Sequence, residues 1–338
     1  MKHTLIFALG SFALSLFSCG DDGAIKDLLG VNARAPVYQG LKVVSGSRVE
    51  FYFSAPVKVC TAAIAPKVEL ESSSFDKTVA LDFAEDHSGG KRFVVDIIAE
   101  DANRNTLHIL VPFRTRNDRV PSMVINEARL THGKTSSTTI RSEFLELKML
   151  SAGNLGALRL FVISADAKEA IYEFPPVEVA QNEYVILHMR TNPTDNGIDE
   201  LGKELNLATA LTASETPTDV RDLWIQTTKK LLHATDVVYI MNQDDKILDA
   251  LVLSLDADAW KKNSAFKSAA ELLARQGMWL SKDKLPVRTP QDEDAVNSTG
   301  STGTKTVCRY EGRPDTNSNA DWYICNTSKH SPGKPNRE

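Results

Sequence analysis

Alternation of apolar and polar residues over short segments limits the folds open to this chain more than any other feature. Arg48-Val49-Glu50-Phe51-Tyr52-Phe53 alternates, and residues 67–71 and 79–83 do the same. Residues 91–98 and 106–113 follow, separated by Ser-, Gly- and Asn-rich turns such as His87-Ser88-Gly89-Gly90 and Asp101-Ala102-Asn103-Arg104-Asn105. Residues two apart share one face of a strand, so each segment has one face to bury and one to wet. Turn residues recurring about every 10 positions favour an antiparallel β-sandwich. Between Val37 and Phe113 no helical spacing persists beyond a turn or two.

A second β-rich region follows the junction Asn117-Asp118-Arg119-Val120-Pro121. It contains Ser122-Met123-Val124-Ile125-Asn126-Glu127, then Glu143-Phe144-Leu145-Glu146-Leu147, and strand-like runs at 158–163, 170–174 and 184–190. Residues 237–241 and 247–253 read as a hairpin around Asn242-Gln243-Asp244-Asp245-Lys246. Two stretches interrupt the pattern. Residues 192–235 hold runs with helical spacing at 198–211 and 218–232. Residues 256–280 hold another, with Phe266, Ala269, Ala270, Leu272 and Leu273 on one face and Gly277 placed to cap its end. Such inserts either carry a special function or form a lid on the sheet edge; the residues leave both open.

These residues carry two resemblances. Val49-Glu50-Phe51-Tyr52-Phe53-Ser54-Ala55-Pro56-Val57 looks like a strand of the bacterial Ig-like domains of surface proteins. Residues 99–105 resemble their closing hairpin, with Arg104 where glycine is usual. Val124-Ile125-Asn126-Glu127, Glu143-Phe144-Leu145-Glu146-Leu147, Tyr172-Glu173-Phe174-Pro175, Glu183-Tyr184-Val185-Ile186-Leu187 and Ile247-Leu248-Asp249-Ala250-Leu251 occur in the order seen in lamin tail domains. The end, Asp315-Thr316-Asn317-Ser318, Asp321-Trp322 and Ser331-Pro332-Gly333-Lys334-Pro335-Asn336, is similar to the close of bacterial members. The resemblances imply an all-β fold of two Ig-like β-sandwiches in tandem, over 36–118 and 122–338, the second with helical insertions at 192–235 and 256–280.

The amino end predicts where the protein works. A positive Met1-Lys2-His3 precedes an apolar run over 4–17, shorter than the ~20 residues a spanning helix needs. Leu16-Phe17-Ser18-Cys19 resembles the lipobox of bacterial lipoproteins, in which the cysteine is acylated and begins the mature chain. Residues 1–18 are thus expected to be a signal peptide and 19–35 a tether, with the partner membrane reached through lipid on Cys19. With 39 Lys+Arg against 44 Asp+Glu the net charge is −5. A mildly acidic chain lacks the cationic surplus that phosphate neutralisation requires, so no nucleic-acid partner is expected.

Cys19 aside, three cysteines remain. Cys308 and Cys325 lie close in sequence within short strand-like runs and are expected to form a disulfide, whose loop closure contributes about 3 kcal/mol. Cys60 is expected to be a buried free thiol. Ala128-Arg129-Leu130-Thr131-His132-Gly133-Lys134-Thr135 falls short of a phosphate loop, because no helix-forming sequence follows. Asn192-Pro193-Thr194-Asp195-Asn196-Gly197 opens like a calcium loop, but Lys203 stands where a bidentate Glu is needed. The histidines show no metal-ligand spacing, and no Gly-x-Ser-x-Gly elbow occurs. Trp224, Trp260, Trp279 and Trp322 read as core residues, with a sugar-binding face as the alternative. No catalytic residue, metal or cofactor is therefore expected. The sequence predicts a non-enzymatic binding, adhesion or scaffold module at the bacterial envelope, recognising a protein or an envelope or host surface component. The alternatives are an exported metal-dependent hydrolase or its tethered accessory subunit, since bacterial lamin tail domains accompany such enzymes, and a purely structural envelope protein.

Overall fold

The computed structural model describes residues 34–337 apart from 73–74, 88, 133–135, 137, 166–168, 193–196, 259 and 261–262. Cys19 and the lipobox lie outside the described residues, as does the middle of the segment at 192–197. The fold is all-β, with one α-helix among the described residues.

The first unit is a single hydrogen-bonded sheet of β1 (Tyr38–Ser45), β2 (Arg48–Ala65), β3 (Leu70–Ser72), β4 (Asp76–Phe83), β5 (Arg92–Asp101) and β6 (Thr106–Arg114). Strand β2 runs through both halves of it. Residues 48–53 pair with β1 and β4, and residues 57–65 pair with β5. The change of partner falls at Ser54-Ala55-Pro56, where Pro56 has no N–H to offer a ladder. The alternation then delivers Val49, Phe51, Phe53 and Val57 from β2, Val79, Leu81 and Phe83 from β4, and Phe93, Val95 and Ile97 from β5 to one interior. Phe83, Phe93 and Phe113 stack there with ring centroids 5.6–6.2 Å apart. Each such side chain contributes about 1.5–3 kcal/mol on burial. Cys60 is a correction: its thiol is free but exposed, on the open face of β2 with Lys58, at the extra residue of a β-bulge between Val59 and Thr61.

Two further sheets enclose the larger core. One has the order β14-β13-β8-β7-β18-β19: Arg221–Trp224, Tyr184–His188, Phe144–Met149, Met123–Arg129, Val307–Arg309 and Trp322–Ile324. The other has the order β11-β10-β15-β16-β17: Ala170–Glu173, Arg159–Ser164, Asp236–Met241, Ile247–Ser254 and Val296–Asn297. The short β9 (Gly153–Asn154) and β12 (Glu178–Val179) form a third, two-stranded ladder. Ile125, Leu145 and Leu147 of the first sheet meet Leu160, Val238, Ile240 and Leu251 of the second in one hydrophobic cluster.

The insertions differ from expectation in one case. Residues 264–275 form helix α1 (Ser264–Arg275), whose buried face is Phe266, Ala269, Ala270 and Leu273. The Asn263 side chain caps it, accepting from Ala265 N at 3.0 Å and Phe266 N at 3.1 Å, and Gly277 follows at φ 70°. The helices expected at 198–211 and 218–232 do not form. Carboxylates take the N–H groups that a helix would use: Glu200 accepts from Leu207 N and Asp222 N, both at 2.8 Å, and Asp199 from Trp224 N at 2.7 Å. Residues 221–224 instead add to the sheet as β14, parallel to β13. Ladder pairing and burial of Leu223 and Trp224 override the local helical spacing.

A tight seam joins the units. Asn117 Nδ2 donates to Asn154 O and Gly156 O, both at 2.7 Å, and Arg116 and Arg119 make bidentate pairs with Asp244 and Glu178. Those ion pairs are solvent-exposed and contribute little alone. Close backbone approach matters more, since a Cβ on Gly156 would lie 1.6 Å from Gly89 O. Gly156→Ala is therefore expected to undock the seam, seen as faster proteolysis across residues 114–119 and a lowered melting temperature. Gly202→Ala, with nothing within 4 Å of its added Cβ, should leave both unchanged.

Candidate functional site

Inside strand β7 the register slips between Ile125 and Glu127, leaving Asn126 unpaired. Side chains alternate with period two, so one extra residue exchanges the faces. Ile125 opposes Leu147 and points into the core, whereas Glu127 opposes Glu146 on the outer face of the sheet. The ladder broken by the bulge is repaired by side chains. Asp249 of β16 accepts from Ile125 N at 2.5 Å, and Arg309 of β18 donates through Nε to Ile125 O at 2.9 Å. Arg309 and Asp249 pair with each other at 2.8 and 3.0 Å, and the guanidinium lies 4.5 Å from the Trp322 ring centroid. Burial raises the Asp249 carboxyl to about 6, against the pull of Arg309. From the outer side, Asn336 Nδ2 donates to Asn126 O at 2.9 Å and Arg309 O at 3.0 Å.

Asn336 belongs to a strap, residues 328–336, laid over the outer face. Ser331 N donates to Glu127 at 3.1 Å and Gly333 N to Glu146 at 2.6 Å, while Asn126 Nδ2 binds Glu146 at 2.6 Å. Both carboxylates are fully buried. Burial raises both, Glu146 strongly and with the neighbouring Glu127 charge adding to the effect, while Thr306 and Ser331 partly offset it at Glu127. Beside them Glu215 accepts from Arg129 at 2.5 Å, Arg141 at 3.0 Å and His330 at 3.1 Å. Burial opposes its ionisation, but the His330 hydrogen bond and the Arg129 charge outweigh it and hold the group at about 2. On the same face His188 stacks on Trp224 with ring centroids 3.8 Å apart and meets Asp222 at 2.7 Å.

The structure brings Cys308 and Cys325, the pair expected to form a disulfide, together as buried free thiols. Cys308 opposes Tyr323 in the β18–β19 hairpin, and Cys325 N bonds Thr306 O. The cysteines are therefore diagonal neighbours, with Thr306 Oγ1 3.3 Å from one sulfur and 3.2 Å from the other. The hydrogen bond between the thiols, together with burial, pushes Cys308 up, and that same bond lowers Cys325 to about 5 despite burial. All four tryptophans are buried. Trp322 also lines a cleft of about 420 Å³ with Ser254, Asp292, Asn297, Asn319 and Tyr323. Among the described residues no three His, Cys, Asp or Glu side chains gather as a metal-binding set, and no helix is long and apolar enough to cross a membrane.

Sequence motifs foreshadowed Asn126, Glu127, Glu146 and Asn336 as elements of a pattern, without their roles. Arg309 and Glu215 stood in no motif, and nothing near them in sequence indicates partners 60 and 86 residues away.

Chemically, the outer face is a set of buried charges and amides matched to one another and to a strap, and the cleft is a concave polar surface suited to hydrogen-bonded recognition. Residues 121–324 match the family model described as the TP_1001 protein second domain, and the chain belongs to that family. An uncharacterized protein of Treponema pallidum (strain Nichols) is 26% identical over 257 residues, 73% of this chain. The chain spans 61% of that relative's length. Among solved structures, the N-terminal part of the bacterial S-layer protein SbsC matches 70% of this chain and 48% of its own at 11% identity and a TM-score of 0.23. Domains 1–6 of the surface layer protein SbsC match 69% of this chain and 43% of their own at 12% identity, also with a TM-score of 0.23. Likenesses at that score carry no argument about this chain.

Two outcomes test the site. Asn336→Ala leaves two buried carbonyls without their donor and should cost about 1–3 kcal/mol in denaturant unfolding, whereas Asp249→Ala removes the buried partner of Arg309, which keeps Asp315 at 2.9 Å, and the acceptor of Ile125 N, and should cost about 3–5 kcal/mol. Glu215 has a depressed pKa, so its stabilisation is present above the ordinary 4.5 and lost as pH falls toward 2. The stability gap between wild type and Glu215→Gln should accordingly shrink by about 3 kcal/mol between pH 5 and pH 2. A gap that stays constant with pH would refute the assignment.

Proposed function

We propose that this chain is a lipid-anchored bacterial envelope protein that recognises a protein or another envelope or host surface component without transforming it. In this reading Cys19 is acylated, residues 19–35 are the tether, and the two units are Ig-like β-sandwiches in tandem, the second of lamin-tail type. One observation carries it: the seam at Asn117, Gly89 and Gly156 joins the two β-units by backbone-close contacts. A rigid pair held at a membrane presents its loops and clefts in a defined arrangement, which lowers the entropy cost of binding. The polar cleft lined by Asp292, Asn297, Asn319 and Trp322 supplies a recognition surface whose groups hydrogen-bond rather than react.

Mass spectrometry of the native membrane-extracted protein should find a mature chain beginning at Cys19 and carrying acyl groups. An unmodified amino end would overturn the anchor. Recognition is tested by co-sedimentation with isolated outer-membrane vesicles and peptidoglycan sacculi, with Thr299→Trp introduced to fill the cleft. The wild type should pellet with one of these and the variant should be released at least about tenfold more readily, a loss near 1.4 kcal/mol. Equal pelleting of both proteins would remove the cleft from the reading.

A further inference from the structure

The β18–β19 hairpin ends where the strap begins, and its outer face carries both buried cysteines. Cys308 is fully buried and Cys325 is 2% exposed, yet neither is needed to fill the apolar core, which lies on the opposite face of the hairpin with Val307 and Trp322. Thr306 Oγ1 sits between the two sulfurs, Thr306 N donates to Cys325 Sγ at 3.2 Å, and Glu127 stands in the adjacent strand opposite Cys308. From Cys325 the chain passes directly into residues 326–329, where Ser328 N bonds Thr304 O, and on to the strap anchors Ser331, Gly333 and Asn336. A covalent bond at Cys325 therefore acts at the root of the strap.

We propose that Cys308 and Cys325 are a redox latch, in which a disulfide between them fastens the carboxyl-terminal strap to the six-stranded sheet. The groups present suit each step of disulfide exchange with a small oxidised disulfide. Cys325, held as thiolate by donors from Thr306 and Cys308, attacks one sulfur of the oxidant when the strap lifts, and the other half departs as a thiolate. Cys308 gives its proton to the Glu127 carboxylate, with which Thr306 is hydrogen-bonded. The Cys308 sulfur then attacks Cys325, breaks the mixed disulfide and expels the second thiolate. Two electrons pass from the cysteine pair to the oxidant, one S–S bond replaces another, and the proton leaves from Glu127. The lowered pKa of Cys325, about 5, and the raised one of Cys308 match attacking and resolving roles.

The test uses the full chain purified under reductant, with Cys60→Ser introduced to remove the exposed thiol. After native exposure to oxidised glutathione and alkylation, a non-reducing tryptic map should contain peptide 306–309 joined to peptide 310–329. Amide exchange over residues 326–336 should then slow on the order of tenfold relative to the reduced protein, and Cys308→Ser should abolish both changes. Recovery of both cysteines as alkylated thiols, or of Cys325 carrying a persistent glutathione adduct, would overturn the proposal. So would a cross-link that leaves strap exchange unaltered, because the bond would then fasten nothing.

Discussion

One unpaired residue, Asn126, organises the polar half of this molecule. By slipping the register of β7 it turns Glu127 away from the core while Ile125 stays within it. The slip also frees backbone groups that are too deep for water, and a buried backbone group without a partner costs about as much as a lost hydrogen bond. Asp249 arrives from the facing sheet, Arg309 from the neighbouring strand and Asn336 from the strap to satisfy them. The bulge thereby ties three sequence-distant segments to one point.

Such a device costs stability and confers register. Taking Glu127, Glu146, Asp249 and Arg309 out of water is unfavourable, and well-packed apolar residues of similar size often serve a core as well or better. What charged and amide groups add is discrimination. A strap shifted by one residue would leave the Glu127 and Glu146 carboxylates facing the wrong donors, whereas an apolar strap would slide at small cost. The charge balance around Glu215 acts in the same way, fixing residues 211–215, the 141 region and His330 against β7. The outer face is thus a cover held by specific polar contacts over a sheet whose other face is held by ordinary hydrophobic packing.

Much of the strand pattern was legible before any coordinates. The alternating runs at 48–53, 79–83 and 106–113 fall on β2, β4 and β6, because burial of one face enforces period two, and the apolar-rich runs at 143–147 and 247–253 fall on β8 and β16, which are buried on both faces. Helix α1 was legible for the matching reason, with an apolar stripe and a glycine stop. The failures have separate causes. Residues 218–232 have helical spacing, but an open edge beside β13 offered a ladder, and Asp199 and Glu200 captured the backbone N–H groups. Cys60 falls on the open face of β2 with Lys58, and the slip beside it then exchanges the faces, so that Ala62 and Ile64 pack inward. Bulges leave no reliable local signal, so inferences that depend on parity fail beyond them.

The sequence by itself determined the all-β class, the strands whose alternation repeats without interruption, and the helix at 264–275, with its apolar stripe and glycine stop. These depend on residues within a few positions of one another. Only the tertiary structure decided that Glu127 faces the strap, that Arg309 pairs with Asp249, that Glu215 gathers two arginines and a histidine, and that the Thr306 hydroxyl stands beside both thiols. Each of those contacts joins groups on different strands or loops, and their energies depend on burial that exists only once the sheets have closed and the strap lies on top.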